Sequence, residues 1–273
     1  PAPTAPVVPV HETVHERVVL EVMRGCPNGC RFCLAGCTYR PVRVRSVETL
    51  LAQAEATYRA TGYDEIGLLS LSTGDYPHLD ALVDKLDARF APLGVSLSLP
   101  SLRVDQALGS LPRRFKSVRK SGLTFAPEAG SDRLRAVVNK FGTNDELLAA
   151  AAEAYRQGWR TIKLYFMVGL PTETDEDVDA IAELANAVAG LRKKGGRKPA
   201  VTMSVSHFVP KPHTPFQWEA MEPPAELGRK RERVEGKLWK KRVRFRPTDV
   251  AVSFLEGVLA RGDRRLGAAI RRA

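Results

Sequence analysis

Four cysteines, Cys26, Cys30, Cys33 and Cys37, fall within twelve residues of a 273-residue chain that has no others. A disulfide framework staples distant segments together, and cysteines this closely spaced do not serve one. They read instead as a metal site in a reducing, cytoplasmic setting. The C-x3-C-x2-C spacing puts three thiolates on one tight loop, and Pro27, Asn28 and Gly29 permit its turn. Such a set suits a 4Fe–4S cluster with one iron left without a protein ligand. A closed zinc site wants two separated ligand pairs, and the five histidines show no such spacing. Cys37 extends the string to C-x3-C-x2-C-x3-C, which raises a second reading, a fully ligated electron-transfer module. The common ferredoxin string has two residues in its first gap and proline after its last cysteine. Here the gap is three and Thr38 follows, which favours Cys37 as a non-ligand.

Around that loop, short β-branched or apolar runs alternate with helical periodicity. The runs are Val18–Val22, Ile66–Leu71, Val95–Leu99, Gly122–Ala126, Ile162–Val168 and Val201–His207. Ser46 and Thr174 are placed to cap helices, Gly62 and Gly158 follow helix ends, and Gly195-Gly196 is expected to stop another. Alternation of this kind implies parallel β/α units with right-handed crossovers. About 190 residues carry it, too few for a full eight-unit barrel of about 250. The expected fold is therefore α/β, a partial (β/α)6 TIM-like barrel, with an open doubly wound sheet as the alternative. Residues 1–15, holding PAPTAPVVPV without an initiator Met, read as a lead-in cut from a longer chain; 16–222 read as the core and 223–273 as a basic helical extension. No apolar run is long enough for a membrane span.

The cysteine loop directly follows the first strand, and Phe32 stands before Cys33. This C-x3-C-x-aromatic-C string resembles the signature of the radical SAM superfamily. The resemblance implies that Cys26, Cys30 and Cys33 hold a 4Fe–4S cluster whose open iron chelates S-adenosylmethionine (SAM). One electron then cleaves a C–S bond to give a 5′-deoxyadenosyl radical, for modification of an unidentified substrate. It places SAM against Phe32, against Ser72, Thr73, Gly74 and Asp75 after the second strand, and against Ser101 and Arg103 after the third. Glu128, in a segment resembling E-x-G-S-D, and Gly169 and Pro171, in one resembling G-L-P-x-E-T, complete the expected cofactor contacts. An electron donor such as flavodoxin or ferredoxin is implied as partner. The nearest likeness is to uncharacterised radical SAM proteins of the cobalamin-binding type, seen at Tyr39–Arg43, Phe208–Trp218 and Phe254–Glu256. Those carry a cobalamin-binding-like domain before the core, so any cobalamin belongs to the complete protein. Methylthiotransferase-like modification of RNA or a ribosomal protein is the alternative enzyme; such enzymes usually bind a second cluster through three more cysteines, absent here.

The remaining features divide between chemistry and packing. His207 and His213 flank a Pro-rich turn, where they serve either as acid/base groups or as hydrogen-bonded turn residues. Asp75 and Glu128 could pair as catalytic carboxylates, although ligand positioning is favoured. Trp218 is expected as a buried cap on the barrel rather than a stacking platform. The net charge is +11, and residues 228–273 carry 15 Lys+Arg against 5 Asp+Glu. Lys and Arg interleaved with Trp239 and Phe245 can bind RNA. The preferred reading is a solvated amphipathic helix with Leu227, Val234 and Leu238 facing inward.

Overall fold

The computed structural model describes residues 2–11, 13, 16–98, 122–191 and 200–273. Strand β1 (Val18–Glu21) buries Val18 and Leu20 and turns Val19 to the opposite, open side. A short antiparallel pair, β2 (Met23–Arg24) with β3 (Arg43–Val44), then closes the base of the cysteine loop, which contains α1 (Leu34–Thr38). Helix α2 (Val47–Thr61) begins where Ser46 Oγ accepts from Thr49 N at 3.2 Å and ends at Gly62, in the left-handed region at φ 70°. It leads to β4 (Glu65–Leu69), α3 (Leu79–Phe90) and β5 (Ser96–Ser98). Strands β1, β4 and β5 form a parallel sheet in chain order.

A second parallel sheet follows, ordered β6 (Gly122–Glu128), β7 (Thr161–Val168), β8 (Ala200–His207) and β9 (Val243–Pro247). Helices α4 (Asp132–Val137), α5 (Asn144–Arg156), α6 (Asp175–Gly190) and α7 (Pro224–Lys237) lie between its strands. Reciprocal capping boxes start α5 (Thr143 with Glu146) and α6 (Thr174 with Asp177). Along β7, Ile162, Leu164, Phe166 and Val168 are buried while Lys163 and Tyr165 are exposed, so the sheet has one helix-covered face and one bare face. After β9 come α8 (Val250–Arg261) and α9 (Leu266–Ile270). Parallel strands in sequential order with helices on one face give the partial TIM-like barrel that the alternation predicts.

All six expected strands are present as far as they are described; Val95–Leu99 is seen to Ser98, and Gly195-Gly196 lies outside the described residues. Strand β9 is an addition. Its Val-Arg-Phe-Arg-Pro alternation is half cationic, so the charge run hid a period of two. Leu227, Val234, Leu238 and Val243 belong to the same hydrophobic core as Val18 and Ile66, so that core crosses the expected boundary between 222 and 223. A smaller cluster of Ala129, Leu134, Val138, Leu170, Phe208 and Phe216 gathers the segments after β6, β7 and β8.

Candidate cluster and cofactor site

The cysteine loop leaves β2 through Gly25, whose φ is 99°. A Cβ there would lie 2.7 Å from Tyr39 O and 3.0 Å from Val42 Cα, so only glycine fits. All four thiols are free. Cys33 caps α1, its Sγ accepting from Gly36 N at 3.4 Å, and Cys26 Sγ accepts from Asn28 Nδ2 at 3.5 Å. Burial pushes the Cys30 thiol up, while the Lys140 charge opposes that shift. Among the described residues no three His, Cys, Asp or Glu side chains meet as a single-ion site requires. A cube is held at separate corners, so its thiolates need not converge on one point. Three thiolates on one loop are the kind of donor set such a cube takes.

The loop is tied to the second sheet by its backbone. Arg31 N donates to Val138 O at 3.0 Å, Phe216 N donates to Arg31 O at 3.2 Å, and Asn139 Nδ2 donates to Gly29 O at 2.9 Å. Arg40 braces it from within, Nε to Gly36 O at 2.7 Å and Nη2 to Asn28 O at 3.1 Å. Phe32, expected against the cofactor, packs on the small cluster around Phe208 and Phe216, whose rings meet edge to face at 5.9 Å. The motif aromatic therefore anchors the loop.

Asn28 joins this loop to the segment after β4. Its Nδ2 donates to Asp75 Oδ2 at 2.7 Å and lies 3.2 Å from Ser72 Oγ, which itself donates to Asp75 at 2.6 Å. Thr73 is buried, its hydroxyl 2.8 Å from that of Ser70, and Gly74 sits in the same single turn of 3-10 helix. Glu128 ends β6 beyond a bulge, at φ 69°, and takes Lys140 Nζ at 3.3 Å. Burial pushes its carboxyl up, against the pull of Lys140. Asp75 and Glu128 are thus each engaged by a different partner. Gly169, at φ 81°, donates its N–H to Glu173 Oε1 at 2.9 Å, and Pro171 follows within the same turn. A Cβ on Gly169 would stand 2.9 Å from Leu227 Cδ2. Ser101 and Arg103 lie outside the described residues. Asn139 and Lys140 were not singled out from sequence, and Asn28 was read only as a turn residue of the loop, not as a bridge to Asp75.

Other residues have structural roles. Ser131 caps α4, Leu134 N donating to its Oγ at 3.1 Å, and its hydroxyl also bonds Asp177. Asp132 Oδ1 accepts from Asn144 N at 2.9 Å. His207 is buried with Nδ1 2.8 Å from Ser253 Oγ, which holds it beneath α8. His213 stands at φ 62° with its N–H on Gln217 Oε1. Trp218, expected as a buried cap, is 84% exposed: Phe208 and Phe216 fill that role, and the Pro-rich turn carries Trp218 outward.

The basic segment also departs from a uniformly solvated face. Leu227, Val234 and Leu238 do face inward, but Lys230 is buried between Glu173 Oε1, at 2.9 Å, and Glu222. Burial pulls the lysine down, and its hydrogen bonds to Glu222 and Glu173 outweigh that effect and keep it charged. Arg229 pairs with Asp175 and Glu226, Arg233 with Asp175 and Asp179, and Lys237 with Asp179. Most cations of α7 are therefore consumed by the acidic start of α6.

Among the described residues no helix is long and apolar enough to cross a membrane. A family profile described as the Radical SAM superfamily matches residues 20–185. An uncharacterised protein of Methanocaldococcus jannaschii is 38% identical over 248 residues, 91% of this chain and 52% of its own length. The ribosomal protein uS12 methylthiotransferase RimO of Pelotomaculum thermopropionicum is 28% identical over 187 residues, 63% of this chain and 41% of its own. In fold, the chain is similar to the radical SAM methyltransferase TsrM of Kitasatospora setae, with a TM-score of 0.57 at 13% identity, covering 73% of this chain and 38% of that one. The chain spans about half the length of the curated relatives it matches.

Proposed function

Because the chain belongs to the radical SAM superfamily, whose members are enzymes that use a 4Fe–4S cluster and SAM, we propose that Cys26, Cys30 and Cys33 hold that cluster and that the strand-end segments seat SAM. The observation that carries this reading is the Asn28 bridge, one amide contacting both Cys26 Sγ and Asp75 Oδ2. It fixes the cysteine loop against Ser72–Asp75, where the SAM amino group would be received. When bound, the cluster supplies the electron that splits a sulfonium C–S bond of SAM and yields a 5′-deoxyadenosyl radical. The protein's part is orientation and exclusion of water. Phe32 and the cluster it joins wall the loop from the second sheet, and Glu128 with Lys140 presents a polar pair beside Cys30. Ser101 and Arg103 remain further candidates for the SAM carboxylate.

The substrate class is open. Similarity to named methylthiotransferases supports RNA or a ribosomal protein as one substrate reading. Within these 273 residues only Cys37 lies beyond the proposed ligands, so three thiolates for a second cluster would have to come from elsewhere in the complete protein. Fold likeness to TsrM, solved with cobalamin, supports cobalamin use by the complete protein as another. Electron delivery by flavodoxin or ferredoxin is part of the same proposal.

Anaerobic reconstitution tests it. Wild type should take up about four irons per chain and release 5′-deoxyadenosine from SAM under dithionite. Cys26→Ala, Cys30→Ala and Cys33→Ala should each lose both properties. A full 4Fe–4S spectrum in any of the three would refute the ligand assignment.

A further inference from the structure

The bare face of the second sheet is cationic toward the beginnings of its strands, the end opposite the cysteine loop. Register places Lys163, Thr202 and Arg244 in one row across β7, β8 and β9, and Tyr165, Ser204 and Arg246 in the next. These residues line a half-open cavity of about 700 Å³, closed at its margin by Lys240, Lys241 and Arg242. Six cations thus surround one cavity, and among the described residues no carboxylate lines it. Among the described residues none of the six has an ion-pair partner, whereas four cations of the adjoining α7 are paired. For all but Lys163 that contrast lies within one short stretch of chain, so it reflects placement rather than composition.

Adjacent strands stand about 4.8 Å apart, so Lys163 and Arg244 flank Thr202 at a span of about 10 Å between backbones. Two cations with a hydroxyl between them can surround one phosphate group. The next row offers a second hydroxyl and a third cation, Arg246. Tyr165 is 43% exposed and turns a ring into the cavity. Arg242 lies over the Trp239 ring at 5.3 Å, which holds its guanidinium at the rim. Hydrogen-bond donors, positive charge and one aromatic surface together match a phosphorylated ligand carrying a flat ring.

We propose that this cavity binds the phosphate groups of a nucleotide-sized ligand, with Lys163, Arg244 and Arg246 on the phosphates and Tyr165 against the ring. The site needs neither cluster nor SAM, so it stands or falls separately from the proposed radical chemistry. Calorimetric titration of the full chain with ADP, inorganic pyrophosphate and a uridine dodecamer tests it. ADP should bind saturably at one site, and more tightly than pyrophosphate because the ring adds contact. The double variant Arg244→Gln/Arg246→Gln and the single variant Lys163→Gln should each weaken binding, the double by at least about tenfold. Arg229→Gln/Arg233→Gln, on α7, should leave the affinity unchanged. A dodecamer that binds more tightly than ADP, with the same sensitivity to the cavity variants, would identify the source of the phosphates as a strand. Absence of saturable binding to all three probes, or binding that the cavity variants leave intact in folded protein, would overturn the proposal.

Discussion

Gly130 allows no side chain. An added Cβ would lie 2.4 Å from Ile181 N and 2.7 Å from Ala180 C, both backbone atoms of α6. Helix and loop would have to separate, so Gly130→Ala should lower unfolding free energy by at least the 1–3 kcal/mol typical of overpacking, roughly. A denaturant midpoint unchanged from wild type would contradict that contact. Cys37 makes a different test. It lies in α1, after the three cysteines in sequence, and Cys37→Ala should retain full iron content and its SAM-induced spectral change. Loss of the iron, with wild-type spectra indifferent to SAM, would favour the four-ligand electron-transfer module. Lys230 should be costly to remove alone. Lys230→Met leaves the buried Glu173, and the half-buried Glu222, without a cation, which typically costs about 3–5 kcal/mol. Adding Glu173→Gln and Glu222→Gln should restore much of the lost stability, as chemical denaturation of the single and triple variants would show. Cysteine spacing was visible in sequence because ligands this close share one loop. The contacts of Asn28, Lys140 and Lys230 were not, since their partners Asp75, Glu128 and Glu173 lie 47, 12 and 57 positions away.

Among the elements, α7 shows how charge and packing act together. Leu227 and Val234 are fully buried on one side, while Arg233 reaches Asp179 with both carboxylate oxygens at 2.7 Å. Hydrogen bonds from Arg233 first, and from Lys237 next, hold the Asp179 carboxyl down at about 2. The folded pKa is below the unfolded one, so this contribution is present above pH 4, roughly, and is lost as pH falls toward 2. Unfolding free energy followed from about pH 5 to pH 2 should therefore fall less steeply in Asp179→Asn than in wild type. Equal slopes would mean that the pair adds nothing to docking. The pair is partly buried, so added salt should shrink the difference only in part. Capping signals at Ser46 and Thr174 were legible because they are local. The docking partner of α7 was not, because acidic residues on α6 and basic residues on α7 meet only after the β7–β8 units assemble.

At the scale of the whole molecule, the alternation of six strands with helices was enough to anticipate a parallel, barrel-like sheet. It could not reveal that the last described strand comes from a basic stretch, because Arg244 and Arg246 occupy the open face and leave only Val243 and Phe245 as apolar signal. Removal of residues 224–273 should accordingly do more than trim an appendage. It uncovers β8, deletes Leu227, Val234, Leu238 and Val243 from the core, and strands Glu173 without its lysine. Such a truncation should lose cooperative thermal unfolding by near-ultraviolet circular dichroism; a sharp transition near that of the full chain would show that the core stands without it. The pairing of β8 with β9 also matters while the polypeptide is being made. Thirty-five residues separate His207 from Val243. At about 5–20 residues per second, a ribosome needs on the order of two to seven seconds to supply them, and throughout that interval β8 presents an unpaired edge. Helix α7 is synthesised within the gap, and its arrival on α6 would aim the nascent chain along the open edge before another molecule can claim it.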